Sequence, residues 1–376
     1  MTTTALGYWR EGDDPGERKF LALEGEQSKG FTFEGGGDLE RVVVAYETWG
    51  ALNEDRSNAV LVLHALTGDS HAAGDVGPGH RTPGWWGGLI GPSLAIDTDQ
   101  FFVVCPNVLG GAQGTTGPSS LDASGRPYGS RFPTITVRDQ VAVEVAFADY
   151  LNIEAWSAVI GGSMGGMRVL EWAVGYPTRV RRAIVLAVGA ASTADEIALS
   201  SLQIRTIKAD PNYFGGDYYE RGDGPREGLA IARGLGQITY RTSGEFETRF
   251  GRSVQDEGDA LTGGRYAIES YLGYHGEKLA ARFDANSYIV LSEAMNHHDV
   301  GRGRGGVADA LSRVTARATV IGIDTDRLYP LHLQEELVRL TPTSEALHVI
   351  SSDVGHDGFL LEVDQISKIV SESLRE

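Results

Sequence analysis

A serine between two glycines is the first candidate for chemistry in this chain. Ser163 is the centre of a Gly161-x-Ser163-x-Gly165 run that follows an apolar stretch at 158–160 and precedes a helix-like alternation at 169–174. Glycines on both sides allow a strand and a helix to approach closely, while the serine between them occupies a strained turn. A helix N-terminus also favours the oxyanion of acyl transfer. The pattern therefore predicts a nucleophilic serine.

An acid and a histidine that could activate this serine follow later in the chain. Asp326 comes just after the apolar run 318–323, and His356 comes just after the run 346–350. In such a triad the histidine removes the serine proton, and the carboxylate orients the histidine. His64 also ends an apolar run, but we interpret it as a residue that structures its loop. The predicted catalytic residues thus occur in the order serine, acid, histidine.

Two backbone N–H groups are expected to hold the oxyanion. One belongs to Met164, the residue directly after the predicted nucleophile. The other belongs to Leu66, in the loop that follows the apolar run 59–64. In folds with a nucleophile elbow, these two loops meet above the same edge of the sheet.

Apolar runs separated by helical segments predict the elements that position these residues. Six apolar runs predict strands: 59–64, 101–105, 158–160, 183–188, 318–323 and 346–350. The run 59–64 is nearly continuous, which is the pattern of a parallel strand buried on both faces. A helix is predicted at 137–151, where apolar residues share one face. The fold class is therefore α/β, with a mostly parallel central sheet flanked by helices. Loops at the carboxyl ends of such strands lie at one edge, where the candidate residues can meet.

The segment 192–302 has a different character from the rest of the chain. It contains no long strand-like run, and its helical stretches alternate with breaks rich in Gly and Asp. We predict a helical lid insertion at 192–302 and a core domain formed by 1–191 and 303–376. Residues 1 to about 30 are polar and charged, and we expect them to form an extended arm.

Composition limits the classes of partner. The chain has 376 residues, 41% of them hydrophobic, and a net charge of −18, which argues against binding nucleic acid or an anionic membrane. No apolar run approaches the ~20 residues that span a bilayer, and no signal segment is visible, so we expect a cytoplasmic protein. The single cysteine, Cys105, excludes an internal disulfide. His71 and His80 lack the spacing of a metal site, and we expect no metal.

Six segments, in the order found here, resemble the homoserine O-acetyltransferase family within the α/β-hydrolase superfamily. They are 64–69, 107–111, 161–167, 282–288, 326–330 and 355–359. The resemblance implies the α/β-hydrolase fold with a lid. The chain departs from many relatives at Ala112 and Arg168, and it carries Asp324 two residues before the motif aspartate. We favour Asp326 as the acid because it precedes the Leu-Tyr-Pro element.

The resemblance also implies a two-step reaction. Acetyl-CoA would be the co-substrate and L-homoserine the acceptor, in methionine biosynthesis, with no metal and no permanently bound cofactor. Arg233 would pair with the carboxylate of L-homoserine and Asp357 with its ammonium group, with Tyr240 nearby. An arginine suits this task because its guanidinium group binds a carboxylate through two parallel hydrogen bonds. The family further implies a homodimer.

Other reactions use the same residues. A serine esterase results if water reaches the acyl-serine, although a lid that excludes water favours transfer. Sequence patterns alone leave open a homoserine O-succinyltransferase and a serine O-acyltransferase of the same family. A non-catalytic binding protein on the same scaffold is a further alternative, which the presence of all three triad residue types opposes.

Overall fold

The computed structural model describes residues 7–23, 30–222, 224–255 and 260–375. Its strands, numbered along the chain, are β1 (Lys19–Leu23), β2 (Phe31–Thr32), β3 (Asp38–Leu39), β4 (Val42–Trp49), β5 (Ala59–Leu63), β6 (Ile90–Gly91), β7 (Ile96–Asp97), β8 (Phe102–Pro106), β9 (Ala158–Gly162), β10 (Arg182–Leu186), β11 (Arg317–Ile323) and β12 (Ser344–Ile350). Eight of them form one sheet in the order β1-β4-β8-β5-β9-β10-β11-β12. From β8 to β12 all neighbours are parallel, whereas β4 is antiparallel to both of its neighbours. The predicted α/β class is confirmed.

Each of the six predicted strands coincides with a strand of this sheet. The central strands β5 and β9 are buried along their whole length. Helices cover both faces of such a sheet, so side chains on both sides of these strands are buried. This explains why the strands appear in the sequence as continuous apolar runs and not as alternating apolar and polar residues. β9 lies between β5 and β10, so the turn that follows it is at the middle of the sheet edge.

The helices are α1 (Val137–Tyr150), α2 (Met164–Gly175), α3 (Ala194–Ala209), α4 (Arg226–Tyr240), α5 (Ser243–Arg249), α6 (Ala267–Ala280), α7 (Ala285–Asn296), α8 (Val307–Leu311), α9 (Leu331–Leu340), α10 (Gly358–Leu361) and α11 (Val363–Arg375). α1 is the helix predicted at 137–151. Thr136 begins it with a capping box, in which its hydroxyl accepts from the Asp139 N–H while the Asp139 carboxylate accepts from the Thr136 N–H.

The prediction of an extended arm up to about residue 30 was wrong in part. Residues 19–23 form the edge strand β1 on β4, with Leu21 and Leu23 buried in the core. A strand with one buried face is recognised by alternation of apolar and polar residues, but residues 20–23 are all apolar and the run is short, so this signal is missing. Residues 1–6 and 24–29 lie outside the described part of the chain.

Helices α3 to α7 occupy the chain between β10 and β11. α4 packs between α3 and α6. Apolar residues of these helices, among them Ile207, Leu229 and Leu279, form one buried cluster with Leu66 and Met164 of the predicted site. The helical segment is therefore anchored directly over the edge of the sheet where β5 and β9 end. We retain the lid at 192–302 as a proposal that this packing supports.

In the part of the chain that the structure describes, no helix combines the length and the apolar character needed to cross a membrane.

Candidate active site

Ser163 occupies the turn between β9 and α2. Its backbone has φ 56° and ψ −126°, which is unusual for any residue other than glycine. It also lies at the N-cap of α2, where the first N–H groups of the helix have no acceptors within the helix. The local geometry is that of the predicted nucleophile elbow: a strained serine held over the sheet edge at the positive end of a helix.

The glycines on each side of Ser163 allow the strand and the helix to touch. A Cβ at Gly165 would overlap the carbonyl oxygen of Leu63 in the neighbouring strand, and a Cβ at Gly161 would lie 2.6 Å from the backbone of Gly165. Both contacts are with backbone atoms, which cannot rotate away. The spacing of the motif therefore reflects the close packing of β9, α2 and β5.

Gly165→Ala is expected to destabilise the fold by about 1–3 kcal/mol or more, because the new methyl group overpacks a rigid backbone contact. Thermal unfolding measures this loss. Gly273→Ala is the matched control, since Gly273 is in the interior of α6 and a Cβ there meets no atom within 4 Å. This control should be neutral or slightly stabilising, because alanine is the better helix former. Equal melting temperatures for the two variants would contradict the close-approach argument.

The structure brings the three predicted triad residues together. His356 Nε2 lies 3.0 Å from Ser163 Oγ, and His356 Nδ1 lies 2.7 Å from Asp326 Oδ2. All three residues are buried. Asp326 is itself held by the N–H groups of Leu328 and Tyr329, which donate to its Oδ1. This leaves Oδ2 to orient the imidazole ring so that Nε2 faces the serine.

Asp324, the other carboxylate in this loop, has a different environment. Its oxygens accept hydrogen bonds from the Ser351 hydroxyl and the Ser352 N–H. It thus joins the ends of β11 and β12, while Asp326 contacts the histidine. The geometry supports the choice of Asp326 as the acid.

Two opposing effects act on the pKa of His356. Burial lowers it because a charged imidazolium loses its hydration, but the charge of Asp326 and the hydrogen bond to it outweigh burial, and the pKa is raised above 6.5. The raised pKa makes the imidazole a stronger base toward the serine hydroxyl at neutral pH.

The predicted oxyanion donors occupy suitable elements. Met164 is the first residue of α2, so its N–H has no acceptor within the helix. Leu66 follows β5 and lines the same cavity as Ser163. Their roles stay a prediction.

His64 structures the loop before Leu66, as predicted. Its Nε2 accepts from the Val108 N–H at 3.0 Å, and burial lowers the pKa of its imidazole to about 3, so the ring is neutral. Arg168, one of the departures from the family pattern, donates to the carbonyl of His64 and forms a buried ion pair with Glu144 at 2.7 Å. These contacts tie α2 to the loop that carries the second oxyanion donor.

A cavity of about 180 Å³ opens beside the triad. Ser163 and His356 line it, as do the predicted substrate-binding residues Arg233, Tyr240 and Asp357. The Arg233 guanidinium group lies over the Tyr240 ring, 5.2 Å from its centroid. A cation and a carboxylate therefore face one small cavity, an arrangement that suits the carboxylate and ammonium of an amino acid.

Asp357 has a partner that sequence reasoning missed. Arg241 Nε lies 3.0 Å from Asp357 Oδ2, and another nitrogen of the same guanidinium group lies 3.0 Å from Glu245. An ammonium group that binds Asp357 would share its carboxylate with Arg241. No motif marks Arg241, because the pair joins the end of α4 to a loop more than a hundred residues later in the chain.

Glu196 is a second residue that the sequence did not reveal. It lies in the first turn of α3 and is 7% exposed, and it accepts from the Thr193 hydroxyl. Burial raises the pKa of its carboxyl group from 4.5 to about 7, and its charge acts on His356 and Asp326. Its sequence context is that of an ordinary helix cap, so only its tertiary position indicates a role beside the triad.

Glu196→Gln is expected to shift the acidic limb of the activity profile to lower pH, because the ionised carboxylate helps to raise the pKa of His356. A buried carboxyl group with a raised pKa costs stability as pH rises from 4.5 through 7. The variant should therefore gain thermal stability over the wild type at pH 8 but not at pH 4.5. Glu227→Gln, at an exposed position in the first turn of α4, is the control and should change neither property. A pH-independent stability difference in Glu196→Gln would argue against this assignment.

His71 and His80 are closer together than their spacing suggested. They form a buried group with Glu47 in which the potential ligand atoms all lie within 4.8 Å of one another. However, the two rings stack with centroids 3.8 Å apart and planes 13° apart, so one ion cannot lie in both ring planes. His71 Nδ1 is 2.8 Å from Glu47, and His80 Nε2 accepts from the Glu17 N–H. These contacts describe a buried ion-pair and stacking cluster, and the expectation of no metal stays a prediction.

Comparisons with known proteins agree with this site. A family model described as alpha/beta hydrolase fold matches residues 58–363. A homoserine O-acetyltransferase of Thermobifida fusca is 58% identical over 99% of this chain and 97% of the relative. The crystal structure of homoserine O-acetyltransferase from Bacillus anthracis is 30% identical, with a TM-score of 0.87 over 96% of this chain and 97% of that one. Esterase E22 is 29% identical, with a TM-score of 0.85 over 95% and 100% of the two chains. The similarity to these relatives extends over nearly the full length of the chain. Together with the geometry of the elbow, it places this chain in the homoserine O-acetyltransferase family of the α/β-hydrolase fold.

Proposed function

We propose that this chain transfers an acetyl group from acetyl-CoA to the hydroxyl of L-homoserine, in the cytoplasm, as a step of methionine biosynthesis. The observation that carries the proposal is the hydrogen-bonded chain from Asp326 through His356 to Ser163, at a cavity that also presents Arg233 and Asp357. The identity of this chain to curated homoserine O-acetyltransferases, 51–58% for those compared, supports the choice of donor and acceptor.

In the first step, His356 Nε2 takes the proton of Ser163 as the serine oxygen attacks the thioester carbonyl. The negative charge that develops on the carbonyl oxygen is held by the N–H groups of Leu66 and Met164, each worth about 3 kcal/mol in related sites. The carbon–sulfur bond then breaks, and the imidazolium returns the proton to the thiolate, which leaves as CoA. The product of this half-reaction is acetyl-Ser163.

In the second step, L-homoserine enters with its carboxylate toward Arg233 and its ammonium group toward Asp357. His356 takes the hydroxyl proton of the acceptor, and the acceptor oxygen attacks the acetyl carbonyl. The bond to the serine oxygen breaks, and the proton on His356 returns to Ser163. General acid–base help of this kind contributes about 10²–10⁴-fold to each step.

A serine esterase is the second candidate, because the fold of this chain matches esterase E22 with a TM-score of 0.85. The two functions differ only in what attacks the acyl-enzyme. Water would complete the esterase reaction, whereas the acceptor completes transfer.

The test mixes the enzyme with acetyl-CoA alone, quenches it, and measures its mass. An acetyl adduct on Ser163 with one equivalent of CoA released, followed by turnover only when L-homoserine is added, supports transfer. Fast CoA release without an acceptor supports the esterase. Production of O-acetylhomoserine without a trappable adduct would argue for direct transfer. Parallel reactions with succinyl-CoA and with L-serine decide the donor and the acceptor.

We also propose that two copies form a homodimer through the lid. Exposed apolar residues on α3 and α4 support this: Ile197, Leu202, Ile231 and Ile238. Sedimentation velocity of the wild type and of Leu202→Asp tests the proposal, since a monomeric wild type would contradict it.

A further inference from the structure

A second, larger cavity adjoins the one beside Ser163. Its volume is about 280 Å³, and the segment 7–18 forms one wall of it. The two cavities share the lining residues Asp69, Thr82 and Arg282, so they are adjacent parts of one approach to the triad. We call the larger one the arginine cavity.

Four arginines line the arginine cavity: Arg10, Arg18, Arg81 and Arg282. This concentration is unusual in a chain with 33 basic and 51 acidic residues. Three carboxylates also line it, those of Asp13, Asp14 and Asp69.

Each of these carboxylates already has a partner. Asp13 lies 4.0 Å from the Arg10 guanidinium group, and Asp69 lies 3.8 Å from that of Arg18. Asp14 accepts from a backbone N–H of its own turn. Arg10 and Arg18 belong to the four arginines of the lining, and four arginines against three carboxylates leave the lining with one positive charge in excess.

Three residues that line the cavity also carry a buried N–H group without a hydrogen-bond acceptor in the described part of the chain. They are Trp9 at Nε1, Arg18 at Nε and His80 at Nδ1. His80 must carry its proton on Nδ1, because its Nε2 accepts from Glu17. Buried donors without acceptors are rare in proteins. Three such N–H groups on residues that line one cavity support, together with the arginines, a ligand rich in hydrogen-bond acceptors.

We propose that the arginine cavity binds the phosphate groups of the acyl donor. This inference rests on the proposed function, because acetyl-CoA is the substrate that carries phosphates. The donor spans both cavities: its thioester reaches Ser163 in the small one, and its phosphorylated end lies among the arginines. Arg282, which lines both cavities and donates to the Thr67 carbonyl, lies at their junction. Local cations also explain how a protein of charge −18 accepts so anionic a substrate.

The test compares two donors that differ in phosphate groups. Acetyl-CoA carries them, and S-acetyl-N-acetylcysteamine, a truncated thioester, does not. kcat/KM for each donor is measured at saturating L-homoserine for the wild type, Arg10→Glu and Arg18→Gln. Arg339→Glu is the control, a charge reversal at an exposed position near the end of α9.

In Arg10→Glu and Arg18→Gln, kcat/KM for acetyl-CoA should fall about tenfold while that for the truncated donor changes less than about twofold, as expected for one lost charge-assisted contact. Arg339→Glu should leave both unchanged. Added salt should raise the KM of the wild type for acetyl-CoA only. Pyrophosphate should compete with acetyl-CoA and not with the truncated donor.

Equal losses with both donors would mean that the segment 7–18 merely shapes the small cavity, and no loss with either would mean that the arginines do not contact the donor. Either of these two results overturns the inference. A third result also overturns it: if the variants still bind pyrophosphate and their acetyl-CoA kinetics are normal, the cavity is a site for free anions. A wild type that turns over the truncated thioester but not acetyl-CoA overturns the proposed function as well.

Discussion

Ser163→Ala is expected to reduce acetyl transfer by about 10⁶-fold, the loss seen when the nucleophile of a serine triad is removed. The serine hydroxyl is the group 3.0 Å from His356 Nε2, and without it no covalent intermediate forms. Mass spectrometry after incubation with acetyl-CoA should show no acetyl adduct. Residual activity should come only from positioning and oxyanion contacts, which the substitution leaves in place.

Ser292→Ala is the matched control for this experiment. Ser292 is also a buried serine, and its hydroxyl has no hydrogen-bond partner among the described residues. The control should keep full activity and form the adduct normally. Transfer at a near wild-type rate in Ser163→Ala would instead remove the serine from the mechanism.

Asp326→Asn is expected to lower kcat by about 10²–10⁴-fold while the fold is retained. An asparagine can still accept the N–H groups of Leu328 and Tyr329, so the loop keeps its anchors. Its amide nitrogen, however, can donate to His356 Nδ1 and stabilise the tautomer with the proton on Nε2. That tautomer cannot accept the proton of Ser163.

Asp326→Asn is also expected to move the pH dependence of kcat/KM in a defined direction. In the wild type the Asp326 charge raises the pKa of His356 against the opposing effect of burial. Without that charge burial dominates, the pKa falls, and the acidic limb of kcat/KM moves to lower pH. A pH profile of the residual activity measures this shift.

Asp324→Asn is the control, because it removes a carboxylate from the same loop without removing the one that contacts His356. Asp324 lies two residues earlier at the same strand end, but it holds Ser351 and Ser352 rather than the imidazole. The Asp324→Asn variant should therefore retain a near wild-type kcat and the wild-type pH dependence of kcat/KM. A loss in Asp324→Asn as large as that in Asp326→Asn would show that the loop as a whole, and not the orienting carboxylate, limits the reaction.

Local patterns in the sequence determined the central sheet and the positions from which its loops extend. The apolar runs at 59–64 and 158–160 became β5 and β9 because strands covered on both faces need apolar residues at every position. Gly161 and Gly165 predicted the elbow because their requirement is local: a backbone contact that leaves no room for a side chain. The strand β1 escaped prediction because five residues in a charged segment carry too little periodic signal.

The sequence by itself therefore determined the six parallel strands of the sheet, the order of serine, acid and histidine, and the edge at which these residues meet. These features are local, because regular backbone geometry repeats every few residues and leaves a matching period in the sequence. Only the tertiary structure decided which charges act on one another there. Arg241 pairs with Asp357, Glu196 lies close enough to His356 for their charges to interact, and the arginine cavity forms from segments distant in sequence. Electrostatic interactions depend on separation in space and on burial, and local sequence patterns report neither.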